Sequence, residues 1–292
     1  MIDGLRLGAY VLAADPTWVR SSLARYYDHL DVLVVSAPVD GRGWTGAPVA
    51  SEQVLAEVRA LDTRGIVREV RGSWVDVADP LAGDTRQRAE ALAAVGEDVD
   101  WVLQIDTDEV LPDPHALAAV LRVAQDEGLD VVEWPMRVLY RRVGHDFLQV
   151  TAADGTPFHE YPGPVAVRPG ATLVNCRKSD QKFLRPVVRG DSASVQVHRE
   201  PEEGEVRRVL LDPDQAIWHN SWARPPRSVR RKIASWGHHE GWRSRLYYWL
   251  YWLPAPLLWR AQRDVHPFDR DLWPRLARVQ VPTADLLAEA DR

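Results

Sequence analysis

Between Leu5 and Met136 the apolar residues follow two alternating patterns. Leu5 to Ala14 is an almost unbroken apolar run, Asp31 to Ser36, Trp101 to Ile105 and Val131 to Met136 are shorter apolar blocks, and Ile66 to Val70, apolar except at Arg68 and Glu69, is a further strand. Runs of this length and composition read as buried strands. The segments between them carry apolar residues at helical spacing: Val19, Leu23 and Tyr26 after Asp15-Pro16-Thr17, then Ser51 to Leu61, Asp84 to Val95 and Leu117 to Ala124. Asp15 or Thr17, Ser51 and Asp84 are the expected caps, with Gln87 completing a capping box on Asp84. Ala37 to Pro48, rich in Gly and Pro, reads as a loop. Alternation of strand and helix with short connections predicts an α/β fold, a mostly parallel Rossmann-like sheet with helices on both faces.

After Arg137 the pattern changes. Arg141 to Arg199 is irregular, with strand-like pieces at Pro164 to Val167 and Ser194 to His198. Arg227 to His239 and Arg243 to Leu253 read as helices separated by Gly241. The expected division is therefore a sheet domain over residues 1–215 and a helical extension over 216–292 packed on it. No repeat or low-complexity tract interrupts either part.

Composition narrows the function classes. The chain has 292 residues, 46% of them apolar, enough to bury a sizeable core. Its formal net charge is −6, which argues against nucleic acid as the main partner, because phosphate backbones need a basic footprint. Cys176 is the only cysteine, which excludes intrachain disulfides and multi-cysteine metal sites and fits a reduced, cytoplasmic setting. Met1 to Tyr10 lacks a cationic start followed by a long apolar stretch, so no signal peptide is expected. The longest apolar run, Leu246 to Trp259, spans 14 residues with two prolines, short of the roughly 20 that a membrane span requires.

Charge is unevenly distributed. Asp76 to Glu133 holds 15 acidic residues against 3 arginines, a local net of −12, whereas Trp222 to Arg245 holds 7 basic residues and one glutamate, a local net of +6. The first stretch is a solvated face or a place to hold a cation. The second is a solvated helix face, a phosphate clamp or an anchor for an acidic surface.

Asp106-Thr107-Asp108 is the sharpest chemical signal. It leaves the end of an apolar strand, and in an extended segment residues i and i+2 point the same way. Two carboxylates therefore project into the crevice where open α/β sheets bind ligands. Hard oxygen ligands suit Mg²⁺ or Mn²⁺, with diphosphate oxygens completing the shell. The bland alternative is turn and capping duty for the helix that begins near Pro114.

With its surroundings, this motif resembles the nucleotide-binding half of a GT-A glycosyltransferase, close to the family-2-like proteins, over residues 6 to about 136. The resemblance is carried by Gly83-Asp84-Thr85-Arg86-Gln87-Arg88 and by Trp101 through Glu109. It implies a metal-dependent transferase that moves a sugar from a nucleotide diphosphate to a hydroxyl acceptor: a glycan, a lipid-linked sugar or a small molecule. It makes Asp108 the direct metal ligand and puts Asp106 on the ribose or a metal-bound water. Trp218-His219-Asn220-Ser221-Trp222-Ala223-Arg224 is similar to the His-x-x-Trp-x-Arg stretch of the same group, which implies His219 as a further metal ligand. Arg86 and Arg88 are candidate diphosphate or ribose contacts, since guanidinium matches phosphate geometry.

The sequence also departs from that pattern. Where the first strand of the group usually ends in Asn-Glu, this chain has Ala13-Ala14-Asp15, and Asp15 is the substitute. The loop after the second strand offers Asp40. For the carboxylate that deprotonates an acceptor, Asp180 is the first choice and Glu160 the second. Two other functions compete: a haloacid dehalogenase-type phosphatase, with Asp106 as nucleophile, and a GT-A-like binding or scaffold protein without activity.

Eight of the 13 tryptophans lie between Trp218 and Trp273. They have three readings. They pack as core; or Trp218, Trp222 and Trp236 line an acceptor pocket, since aromatic rings stack on sugar faces; or Tyr247, Trp249, Trp252 and Trp259 sit at a membrane interface, flanked by Arg243, Arg245, Arg260 and Arg263. The last would make 243–263 a peripheral contact to the inner face of the membrane.

Overall fold

The computed structural model describes residues 2–235, 242–267, 269 and 272–281. Strands β1 (Leu7–Leu12), β2 (Leu30–Pro38), β3 (Val67–Gly72) and β4 (Trp101–Leu103) alternate with helices α1 (Val19–Leu23), α2 (Ser51–Leu61) and α3 (Pro80–Val95). Then follow β5 (Glu109–Val110), α4 (Pro114–Asp126), β6 (Val131–Glu133), β7 (Met136–Val143), β8 (Asp146–Thr151), β9 (Pro164–Val167), β10 (Leu173–Asn175), β11 (Lys178–Ser179) and β12 (Phe183–Val188). The chain continues through the single turn α5 (Val195–His198), β13 (Glu205–Leu211), β14 (Ile217–His219), α6 (Pro226–Ser235), α7 (Trp242–Tyr247), a π-helical turn (Tyr248–Trp252), α8 (Ala255–Leu258) and β15 (Arg275–Val279).

The main sheet has eight strands in the order β13-β12-β6-β9-β4-β1-β2-β3. Neighbours are parallel except at β9, which runs antiparallel to β4 and β6. One face, with Ala9, Val11, Leu33 and Leu103, is covered by α1, α2 and α4 through Leu23, Val54 and Leu121. The other, with Tyr10, Val34 and Val102, is covered by α3 through Ala91, Leu92 and Val95. The fold is thus the α/β class expected of a GT-A-like chain, mostly parallel with helices on both faces. The chain runs outward from β1 to β3 and then returns to the other side of β1 as β4. Strand order therefore reverses between β1 and β4, the position where open α/β sheets form their ligand crevice.

Several local expectations are corrected. The helix after Trp74 begins at Pro80 rather than Asp84, because Asp79 caps it by accepting from the Ala82 amide at 3.0 Å. Asp84 is then interior and pairs with Arg88 instead. Ser51 opens its helix without a side-chain cap, and Asp15 accepts from the Thr17 amide in a turn before α1. The stretch Arg141 to Arg199 is far more regular than its pattern suggests. Its β7–β8 hairpin turns at Gly144, whose φ of 65° lies in the left-handed region that glycine adopts without penalty. Ser194 to His198 forms a helical turn instead of a strand.

A second sheet, β15-β8-β7-β14-β5, joins the middle of the chain to its end. Its core holds Tyr140, Leu148 and Phe158 together with Trp222, Tyr247, Trp252 and Trp273. The end of the chain is therefore not a purely helical addition. It supplies two strands to a sheet shared with residues 136–151, so that sheet crosses the division expected at 215/216.

Candidate functional site

A cleft of about 390 Å³ opens at the carboxyl ends of β1, β2 and β4. Its floor is the turn after β4. The Glu109 amide donates to the Asp106 carbonyl and the Asp106 amide to the Glu109 carboxylate, both at 3.0 Å, so the Asp106–Glu109 segment folds back on itself. The short strand β5 then pairs with β14, placing His219 opposite Glu109, and the Asn220 amide donates to the Asp108 carbonyl at 2.8 Å. Residues 110 positions apart are thereby brought to one point.

Helix α3 supplies the next wall. Asp84, Gln87 and Arg88, spaced i, i+3 and i+4, face the cleft. The helix approaches closely because residue 83 is glycine: a Cβ there would stand 2.5 Å from the Trp74 carbonyl oxygen. Gln87 accepts from the Trp44 indole at 2.7 Å and donates to Ser36. Trp44 and Trp74 both contribute to the cleft wall, beside the start of α3.

Every carboxylate here meets a cation. Arg88 Nη1 and Nη2 donate to the two Asp106 oxygens at 3.0 and 3.1 Å, and its Nε donates to Asp84 at 2.7 Å. Arg177 forms a two-pronged pair with Glu109 at 2.9 and 2.8 Å and lies 3.9 Å from Asp106. Arg224 bridges Asp15 at 2.6 Å and Asp108 at 2.5 Å, and Lys232 Nζ lies 3.9 Å from Asp108. Burial pushes the Asp108 carboxyl up, but Arg224, Lys232 and His219 outweigh it and hold it far below the usual carboxylate range. Burial likewise raises Asp106, and Arg88 and Arg177 bring it down. Burial, reinforced by Arg224, lowers the Lys232 amine to about 8. It also lowers the His219 imidazole, against the pull of Asp108 and Glu109, and so favours the neutral ring.

The structure brings together Asp15, Arg88, Asp106, Asp108 and His219. It leaves three other expected site residues outside. Asp40 is exposed and accepts from the Arg42 amide. Arg86 points away from the inward face of α3 and pairs with Asp76. Asp180 follows the two-residue strand β11 and is exposed at the edge of a hairpin, outside the cleft lining. Glu160 sits instead against Trp273, whose indole donates to it.

Burial pushes the Glu160 carboxyl from its ordinary 4.5 up to about 7, against the Trp273 hydrogen bond. A carboxyl held more tightly protonated in the fold stabilises it fully below about pH 4.5, and this contribution is lost as pH rises through about 7. Glu160→Gln is therefore expected to exceed the parent in stability above pH 7, by up to about 3 kcal/mol, with the difference vanishing near pH 4.5. Urea unfolding at the two pH values checks this.

Tryptophans 218, 222, 252 and 273 are packed in cores, whereas Trp242 and Trp249 are exposed; Trp236 lies outside the described residues. Sequence reasoning gave no individual role to Trp44, Trp74, Arg177, Arg224 or Lys232. Their positions in loops, a tight hairpin and the basic helix carry no periodic signal, although the local excess of positive charge around Arg224 and Lys232 was visible.

Fitness for a metal differs between the expected ligands. The buried Nδ1 of His219 has no hydrogen-bond partner among the described residues and lies within electrostatic reach of Asp108. A neutral imidazole beside a carboxylate suits Mn²⁺. Asp106 is committed on both oxygens to Arg88, and Asp108 gives one oxygen to Arg224, so a metal ion there would share that carboxylate with a guanidinium. No group of three or more His, Cys, Asp or Glu side chains that could hold a metal is found among the described residues. A metal at Asp108 and His219 would therefore take further ligands from its substrate.

No protein-family model matches the chain, and no curated protein matches it. Among solved structures, 4-diphosphocytidyl-2C-methyl-D-erythritol synthase from Anaerococcus prevotii aligns over 57% of this chain and 73% of its own, at 13% identity and a TM-score of 0.33. A second structure of a synthase with that name aligns over 57% and 76%, at 15% identity and a TM-score of 0.33. Mannose-6-phosphate isomerase from Helicobacter pylori aligns over 52% and 57%, at 13% identity and a TM-score of 0.29. These are distant structural likenesses. The α/β assignment rests on the strand order itself.

Proposed function

We propose that the chain is a glycosyltransferase that moves a sugar from a nucleotide diphosphate to a hydroxyl acceptor, with Mn²⁺ or Mg²⁺ bound together with the donor. The supporting observation is the cleft at the strand-order reversal, whose wall combines Trp44 and Trp74 with Asp108, His219, Arg224 and Lys232. Trp44, partly exposed in the cleft wall, offers the flat apolar surface that a nucleobase needs, with Trp74 buried nearby. Arg224 and Lys232 place two positive charges where the leaving diphosphate would gather negative charge. Asp15 and Asp108 hold the guanidinium fork of Arg224 in one orientation. Asp106 does the same for Arg88. Asp108 and His219 would hold the metal ion, which supplies charge neutralisation to the diphosphate when bound.

A panel of nucleoside diphosphates, each assayed with and without Mn²⁺, tests the reading by thermal unfolding. A ligand at 100 times its dissociation constant adds about 2.7 kcal/mol, a shift of several degrees. Asp108→Ala is expected to erase the Mn²⁺-dependent part of the shift and all donor turnover. If the variant keeps both, the reading is wrong.

A further inference from the structure

Twelve large apolar side chains are exposed among the described residues, and seven of them lie between Trp242 and Leu258: Trp242, Leu246, Trp249, Leu250, Tyr251, Leu257 and Leu258. Leu257 is 87% exposed and Trp242 69%. Packing does not account for them, because the opposite face of the same segment is already well anchored. The Tyr247 hydroxyl meets Tyr140 at 2.8 Å and the Val265 carbonyl at 2.7 Å. The Trp252 indole donates to the carbonyls of Tyr140 and Trp222 at 3.1 and 3.2 Å, under the Arg141 guanidinium at 3.7 Å. Burial thus draws in Ser244, Tyr247, Tyr248, Trp252 and Ala255 and leaves the outer side apolar.

The charge pattern says what such a face meets. From Trp242 to Arg263 the chain has four arginines, Arg243, Arg245, Arg260 and Arg263, and no acidic residue, although the whole protein is acidic at −6. All four arginines are exposed. Tryptophan and leucine ringed by arginine, without a carboxylate, match a surface that is apolar just beneath an anionic layer. No helix among the described residues is long and apolar enough to cross a membrane, so such a segment would lie on the surface.

We propose that the outer face of residues 242–263 docks on an anionic lipid surface, with Trp249, Leu250 and Leu257 entering the headgroup region and the arginines pairing with lipid phosphates. The face stands apart from the cleft, so this proposal is independent of the glycosyltransferase reading.

Co-sedimentation with vesicles tests it, using phosphatidylcholine alone and phosphatidylcholine mixed with phosphatidylglycerol. The full chain is expected to bind the mixed vesicles, to bind the neutral ones at least about tenfold more weakly, and to be released by high salt. Trp249→Glu with Leu257→Glu should lower binding by at least about tenfold, and Arg260→Gln with Arg263→Gln by about fivefold per charge on the mixed vesicles only. Both double variants alter exposed positions, so thermal unfolding should match the parent and serves as the folding control. The proposal is overturned if the parent stays in the supernatant, binds neutral vesicles equally, or is unaffected by Trp249→Glu with Leu257→Glu. It is also overturned if that face proves to join two copies of the chain, seen as a concentration-dependent dimer that the variant abolishes and vesicles do not disrupt. Nucleoside diphosphate shifts measured on the same variants report separately on the cleft.

Discussion

Exchanging Arg224 for lysine is expected to lower donor turnover by about 10²–10³-fold while leaving the fold nearly intact. Arg224 reaches Asp15 with Nη1 and Asp108 with Nη2, at 2.6 and 2.5 Å. A guanidinium holds two carboxylates at once in a fixed fork, whereas an ammonium is a single point charge and takes one. Arg224→Lys preserves the charge that compensates two buried acids but loses the bridge. Asp108 is then free to reorient, and the cation no longer stands at a fixed place beside the diphosphate of the proposed donor. Steady-state kinetics with the donor identified by thermal shift, together with urea unfolding of the variant, measure the two effects. Turnover within about threefold of the parent would mean that Arg224 only holds the two strand ends together.

The second large effect is on stability. Glu109→Ala is expected to cost about 3–5 kcal/mol, because it leaves the buried guanidinium of Arg177 without its two-pronged partner. The nearest remaining carboxylate is Asp106 at 3.9 Å, already bound on both oxygens by Arg88. The Asp106 amide also loses its acceptor. For a chain of this size the loss corresponds to a drop in unfolding temperature of about 6–15 °C. Glu109→Leu combined with Arg177→Met should recover much of it, since removing both charges of a buried pair avoids the uncompensated ion. If the single variant unfolds at the same urea concentration as the parent, the pair makes no net contribution.

The acidic residues behind these two effects differ in how far the sequence marks them. Asp106 and Asp108 stand out because an apolar strand precedes them, but the extended spacing expected to align them gives way to a turn, in which Asp106 meets Arg88 and Asp108 meets Arg224. Glu109, next in line, carried no separate signal. It is buried because β5 is pinned between the turn and β14, a pairing made across 110 positions. Arg88 was legible as part of a helix facing the crevice, but Arg86 was equally plausible until α3 fixed which face turned inward. Asp180 lies outside the cleft because only the turn of its hairpin, Cys176-Arg177, reaches inward, while Asp180 follows the second strand on the exposed side.

By itself, the sequence determined the run of strands and helices through residue 136, the class of the main sheet and the strand end at which the carboxylates emerge. These follow from the spacing of apolar residues and from short connections, both local properties. Only the tertiary structure decided the partners of those carboxylates. Arg177 reaches Glu109 from a two-residue turn, Arg224 and Lys232 reach Asp108 from beyond residue 220, and the tryptophans divide into core and exposed face by which side of each helix meets the second sheet. Ion pairing and burial depend on distances in space, and the chain sets those only when strands far apart in sequence close the sheets.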